Sequence, residues 1–154
     1  MFYENLRNRI RVILDCKYPF SEWKKKNIFI WGIESQSLAV ARIFQDEGVS
    51  FRLIDRAKYG KDYFGVTVEE PYSVLKSITP SPECVILIAP KFKHYEMINE
   101  LLAIDQEFGN YIYDIYDIWK SAEHPDIKPV GINKVVSLRE AQLGLLKVLD
   151  TFKR

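Results

Sequence analysis

The feature that most constrains the fold of this chain is a regular alternation of short apolar runs with longer helical segments. The clearest run, residues 84–89, is wholly apolar and stops at Pro90. Residues 28–31 form a shorter run of the same kind. Such runs are typical of strands covered on both faces, because both alternating sets of side chains must then be apolar. Strands of this kind separated by helices of ten or more residues indicate βαβ units and a parallel sheet.

The other predicted elements continue this alternation. Helical spacing predicts a helix over 35–47, and Gly48 lies just beyond it as a C-terminal cap. Pro71 stands at the head of a small helix. The remaining predicted strands are 51–55, 63–68 and 110–113, and the remaining helices are 91–104 and 114–122. The prediction is a Rossmann-like α/β three-layer sandwich, with a mainly parallel sheet of about five strands and flanking N- and C-terminal helices.

The length of 154 residues suggests one main domain with additions at both ends. Residues 1–26 are predicted to be an amphipathic helix and a lead-in, and residues 27–122 the Rossmann-like domain. Residues 123–136 carry two prolines and a glycine, which indicates a linker. Residues 137–154 begin with a capping box, Ser137 and Glu140, and form a helix that is apolar on more than one side. This helix is expected to pack against something beyond the domain.

Composition excludes several classes of function. Lysine plus arginine number 22 against 21 aspartate plus glutamate, so we expect no nucleic-acid partner. No apolar run approaches the ~20 residues that a helix needs to span a bilayer, so no transmembrane segment is predicted. Absence of a secretory signal predicts a cytoplasmic location.

Cys16 and Cys84 lack metal-ligand spacing, and we predict that Cys84 is a buried small hydrophobe. We predict no catalytic residues and no metal site, because no carboxylate pair, Cys–His couple or metal cluster has suitable spacing.

The loop after residues 28–31 is the first candidate binding site. Ligands of open parallel sheets bind at the carboxyl ends of the strands, and dinucleotide loops there carry the pattern G-x-G-x-x-G. Here only Gly32 is kept, while Glu34 and Ser37 replace the other two glycines. The charge of Glu34 would repel a phosphate, so NAD is not expected. Two alternatives stay open: the amides and helix dipole at 35–37 attract an anion, or Glu34 satisfies those amides itself.

Two further strand ends complete the predicted site. Asp55 lies 23 residues after Gly32, where an acidic residue can bind ribose hydroxyls or can cap a turn. Lys91 follows the strand end at Pro90, where it can meet a phosphate or lie in a solvated first helical turn. A nucleotide or nucleotide-sugar is the expected ligand, if one binds. The predicted ligand-binding residues are Gly32, Glu34, Ser35, Ser37, Asp55, Pro90 and Lys91.

Residues 27–117 resemble a known domain. The matching features are residues 30–32, 52–55, 64–68 before Glu70 and Pro71, and 85–89. Together they resemble the Rossmann-like N-terminal domain of sugar O- and N-acyltransferases of the NeuD and PglD type. The resemblance implies a domain that can hold a nucleotide-sugar.

Residues 136–150 resemble a different family. A Leu-Arg pair, a glutamine and spaced leucines resemble the opening helix of LicD-family phosphotransferases, which transfer phosphocholine or related groups onto surface glycans. This resemblance implies an N-terminal accessory module whose catalytic domain follows Arg154. The expected function is therefore a non-catalytic domain that binds a nucleotide-linked donor or sugar, or mediates subunit association. The alternatives are a self-contained nucleotide-binding enzyme of the dehydrogenase or methyltransferase type, and a structural homo-oligomer joined through the terminal helices.

Overall fold

The structure is a computed structural model, and it describes residues 2–89 and 94–115. Within these ranges strands and helices alternate as the sequence predicts. Asp114 ends the last strand and does not begin a helix. The predicted linker, the predicted C-terminal helix and most of the helix over 114–122 lie outside the described residues. In chain order the elements are α1 (Phe2–Lys17), α2 (Phe20–Trp23), β1 (Asn27–Trp31), α3 (Ser35–Asp46), β2 (Arg52–Ile54), β3 (Asp62–Tyr63), β4 (Val66–Thr67), α4 (Pro71–Ser77), β5 (Cys84–Ile88), α5 (His94–Ile104), a 3-10 helix (Gln106–Asn110) and β6 (Ile112–Asp114).

The main sheet is parallel and has the strand order β2-β1-β5-β6. The chain passes from β1 to β2 on one side, and it then crosses back over β1 to reach β5 and β6. Because such crossovers are right-handed, this reversal places α3 on one face of the sheet and α4 and α5 on the other. Accordingly α1 packs against α3, and α4 packs against α5. The predicted Rossmann-like α/β sandwich is confirmed.

The expected number of about five strands is corrected to four within the described residues. Residues 63–68 do not form a strand of the main sheet, because the chain reverses at Phe64 and Gly65. Both have positive φ, 55° and 81°, the turn geometry that joins the two strands of a tight hairpin. The result is the antiparallel pair β3–β4. Just after it, Glu69 makes a single parallel bridge to Ile54 at the edge of the main sheet.

The core lies on both faces of β1 and β5. All residues of β5, and all of β1 except Asn27, are buried. Cys84 belongs to this core, as predicted, and desolvation raises the pKa of its thiol to about 11. Such a thiol stays protonated and unreactive at neutral pH, since the thiolate is the nucleophile.

The N-terminal helices are part of the same core. Trp23 in α2 is only 1% exposed, and its indole Nε1–H donates a hydrogen bond of 2.8 Å to the carbonyl of Leu14 in α1. The Trp23 ring also lies 5.2 Å from Phe44 of α3. The hydroxyls of Tyr18 and Tyr113 are 2.8 Å apart, which joins the end of α1 to β6. Burial and this neighbour raise the pKa of Tyr113.

An ion pair at the edge of the sheet gives a pH-dependent contribution to stability. Arg52 donates from Nε to Glu69 Oε2 at 2.8 Å and from Nη2 to Oε1 at 2.6 Å. These hydrogen bonds lower the pKa of the Glu69 carboxyl. The stabilisation is therefore complete above the unfolded-state pKa of about 4.3, and it is lost as pH falls through the lower folded-state value.

We expect Glu69→Gln to remove this pH dependence. Both side chains are more than a third exposed, so solvent screening limits the pair to about 0.5 kcal/mol. Urea unfolding at pH 7 and pH 3 should show that the unmodified chain loses about 0.5 kcal/mol more than the variant. Equal losses in the two proteins would contradict the assignment.

Candidate functional site

An open cleft of about 480 Å³ lies at the carboxyl ends of β1 and β2. The loops that follow these strands form one wall, and the first two turns of α5 form the other. This is beside the reversal of strand order between β1 and β5, which is the place where open α/β sheets bind ligands. The residues that line the cleft are Trp31, Gly32, Asp55, Arg56, Ala57, Glu96, Met97 and Glu100.

Three consecutive backbone amides in the loop after β1 donate hydrogen bonds to other groups of the protein. Gly32, at φ 98°, donates its amide hydrogen to the carbonyl of Ile54 at 2.9 Å. The amide of Ile33 donates to Asp55 Oδ2 at 2.7 Å, and the amide of Glu34 donates to Ser37 Oγ at 2.8 Å. In phosphate-binding loops such amides point at the ligand. Here they point at the protein.

Glu34 and Ser37 close the start of α3. Glu34 is the N-cap residue, and the two residues form a capping box in which the Glu34 side chain is directed at the backbone of Ser37. The Ser37 hydroxyl also donates to the carbonyl of Glu34 at 3.0 Å, and Ser37 is fully buried. Of the two alternatives for this loop, the capping box favours the one in which Glu34 itself meets an amide of the helix N-terminus, that of Ser37.

Asp55 joins the two loops at this end of the sheet. Besides the bond from Ile33 to Oδ2, its Oδ1 accepts from the amides of Ala57 at 2.8 Å and Lys58 at 3.1 Å. The Lys58 ammonium donates back to the carbonyl of Ile33 at 3.3 Å. The carboxylate therefore acts as a turn residue, which is one of its two predicted roles, while its side chain still borders the cleft.

The structure brings together only part of the predicted site. Gly32 and Asp55 line the cleft. Glu34, Ser35 and Ser37 lie at the start of α3 and are not among the residues lining it. Pro90 and Lys91 lie outside the described residues.

Sequence reasoning missed three charged residues of the cleft. Arg56 directly follows Asp55, so its place at a strand end was a usable signal. Glu96 and Glu100 are four residues apart on α5, which puts them on one face of a helix at the carboxyl end of the sheet. From that spacing, an acidic helix face at the binding edge of the sheet could have been predicted.

The charge of the cleft is mainly negative. Three carboxylates, Asp55, Glu96 and Glu100, line it together with one guanidinium, Arg56. Arg56 Nη2 lies 3.5 Å from Glu100 Oε2, and its guanidinium lies 5.4 Å from the centre of the Tyr72 ring. Among the described residues, the lining contains no hydroxyl, thiol or imidazole group. Across residues 2–89 and 94–115, the cleft included, no group of three side chains is suited to hold a metal ion. The described lining thus offers charged and apolar groups that can bind a ligand.

Comparisons of the chain with protein-family models, with curated proteins and with solved structures found no match. The resemblances to the acyltransferase and LicD families therefore stay predictions. Across residues 2–89 and 94–115, no helix is both long enough and apolar enough to cross a bilayer.

Proposed function

We propose that the chain is a non-catalytic Rossmann-like accessory domain of a cell-surface glycan-modifying enzyme of the LicD type, and that its cleft binds a sugar or nucleotide-linked donor. The observation that carries the binding role is the cleft itself, which lies at the reversal of strand order and has charged and apolar side chains in its described lining. The link to glycan modification is supported by the resemblance of residues 136–150, which lie outside the described residues. The sequence encoded beyond Arg154 tests this link. A glycine-rich loop and paired aspartates are expected there, and a stop codon would contradict it.

Ligand binding is tested by thermal unfolding with CDP-choline, UDP-sugars, NAD and S-adenosylmethionine. A ligand that binds the folded state stabilises it by ~2.7 kcal/mol at one hundred times its Kd. For a chain of this size the melting temperature should then rise by about 5–10 °C. We expect a rise with a UDP-sugar, whose terminal sugar can enter the cleft. We expect none with NAD, because dinucleotide binding places the pyrophosphate on the amides of the loop after β1, and these are already engaged.

A pair of matched variants locates the binding. Ala57→Phe places a ring in the cleft and should abolish the rise in melting temperature. Ala103→Phe makes the same change on an exposed part of α5 that does not line the cleft, and it should leave the rise intact. If no compound stabilises the chain, the binding role is wrong and subunit association becomes the better explanation. If Ala57→Phe still responds, the ligand binds elsewhere.

A further inference from the structure

We infer that the cleft binds the hydroxyl-bearing, phosphate-free part of its ligand, a sugar, and excludes phosphate groups. This inference rests on the proposed function and adds the chemical class of the group that enters the cleft. Two features support it: the hydrogen-bonded amides of the loop after β1, and the acidic face of α5.

The loop after β1, of which Gly32 lines the cleft, offers a phosphate no free amide at residues 32–34. A phosphate bound there would have to replace the hydrogen bonds to Ile54, Asp55 and Ser37. Two of these run to groups that the fold itself needs, since Asp55 joins two loops and Ser37 caps α3. Breaking them would leave the Asp55 carboxylate facing an incoming anion, which adds repulsion to the loss of hydrogen bonds.

The wall formed by α5 carries negative charge. Glu96 is exposed and has no ion pair among the described residues, and Glu100 shares the guanidinium of Arg56. Among the described lining residues the one cation, Arg56, is thus already opposed by a carboxylate, and it also lies over Tyr72. At distances of several ångströms in a well-solvated cleft, each added carboxylate weakens the binding of a phosphate dianion roughly fivefold.

The same groups suit hydroxyls. Carboxylate oxygens accept hydrogen bonds from sugar hydroxyls, and a guanidinium donates to hydroxyl oxygens. Trp31, Ala57 and Met97 supply apolar surface in the same cleft for the C–H groups of a ring. The volume of about 480 Å³ lies within the range of small-molecule sites. A neutral polyol therefore meets complementary groups where a phosphate meets repulsion.

The test compares neutral sugars with their phosphates by ligand-observed NMR. N-acetylglucosamine, N-acetylgalactosamine, glucose and galactose are each measured beside their 1-phosphates, with UDP and inorganic pyrophosphate as phosphate-only probes. We expect at least one neutral sugar to bind, and its 1-phosphate to bind about tenfold more weakly at low salt. Raising the ionic strength should reduce this difference in affinity, because salt screens the repulsion between the phosphate and the carboxylates and leaves the contacts of the sugar ring unchanged.

A variant that removes one carboxylate distinguishes charge repulsion of the phosphate from steric exclusion of it. Glu96→Gln should bring the two forms of the sugar several-fold closer in affinity, whereas Glu107→Gln, an exposed control outside the cleft, should not. Tighter binding of the 1-phosphate, or binding of UDP or pyrophosphate without any sugar, would overturn the inference and leave the proposed function standing. If neither the sugars nor the phosphate-only probes bind, and no nucleotide-linked donor stabilises the chain, the inference and the proposed function both fail.

Discussion

Asp55→Ala is expected to lower the free energy of unfolding by about 3 kcal/mol, since hydrogen bonds to a charged group contribute about 1.5–3 kcal/mol each and are partly redundant here. The substitution leaves the amides of Ile33, Ala57 and Lys58 without their acceptor. It also separates the loop after β1 from the loop after β2. Urea unfolding followed by circular dichroism measures the loss.

The graded variants and control make this result specific. Asp55→Asn keeps one oxygen acceptor and should lose about half as much as Asp55→Ala. Asp62→Ala removes an exposed carboxylate from β3 and should change stability by less than about 0.5 kcal/mol. If Asp55→Ala unfolds like the unmodified chain but no longer binds a nucleotide-linked donor, Asp55 contacts ligand hydroxyls and the turn role is wrong.

Trp23→Ala should cost about 4 kcal/mol, within the range for truncating a buried large aromatic residue. The indole fills the space between α1, α3 and β6, with the rings of Phe44 and Tyr113 at 5.2 and 6.2 Å. Its loss should lower the melting temperature by roughly 8–16 °C for a chain of this size.

Two comparison variants show how much of this cost comes from the apolar ring of Trp23 and how much a ring truncation costs at an exposed position. Trp23→Phe keeps most of the apolar surface but removes the indole hydrogen bond to the carbonyl of Leu14, which keeps the amide of Tyr18 as a donor, and it should cost about 1–2 kcal/mol. Tyr59→Ala truncates an aromatic ring that is 64% exposed, and it should stay within about 0.5 kcal/mol. A small effect of Trp23→Ala would mean that α1 and α2 contribute little to the stability of the domain.

The fold was predictable because β1 and β5 are apolar on both faces, a pattern that few other arrangements permit. The hairpin was not, because its turn uses Phe64 at positive φ, where Asn, Asp or Gly is the usual signal. Phe64 is held there by contacts distant in sequence. Its carbonyl accepts from Gln45 Nε2 at 2.8 Å, and the guanidinium of Arg42 lies 5.2 Å from the centre of its ring.

The candidate site was predictable only where it follows a strand end. Gly32 and Asp55 could be found because parallel strands finish at one edge of the sheet. Glu96 and Glu100 depend on how α5 rotates as it packs, which is decided by the core. The choice between a ligand contact and an internal contact for Asp55 depends on the position of the Ile33 amide to within an ångström, and spacing along the chain does not encode that.

The central position of β1 has a consequence for synthesis of the chain. Since β1 lies between β2 and β5, both of its neighbours leave the ribosome after it. The strand β6 joins the sheet last, together with the hydroxyl pair of Tyr18 and Tyr113, because β6 is the last of the four strands in chain order. A nascent chain that stops short of β6 therefore presents unpaired apolar strands, the kind of surface that aggregates or recruits chaperones. Completion of the four-stranded sheet therefore requires translation through β6.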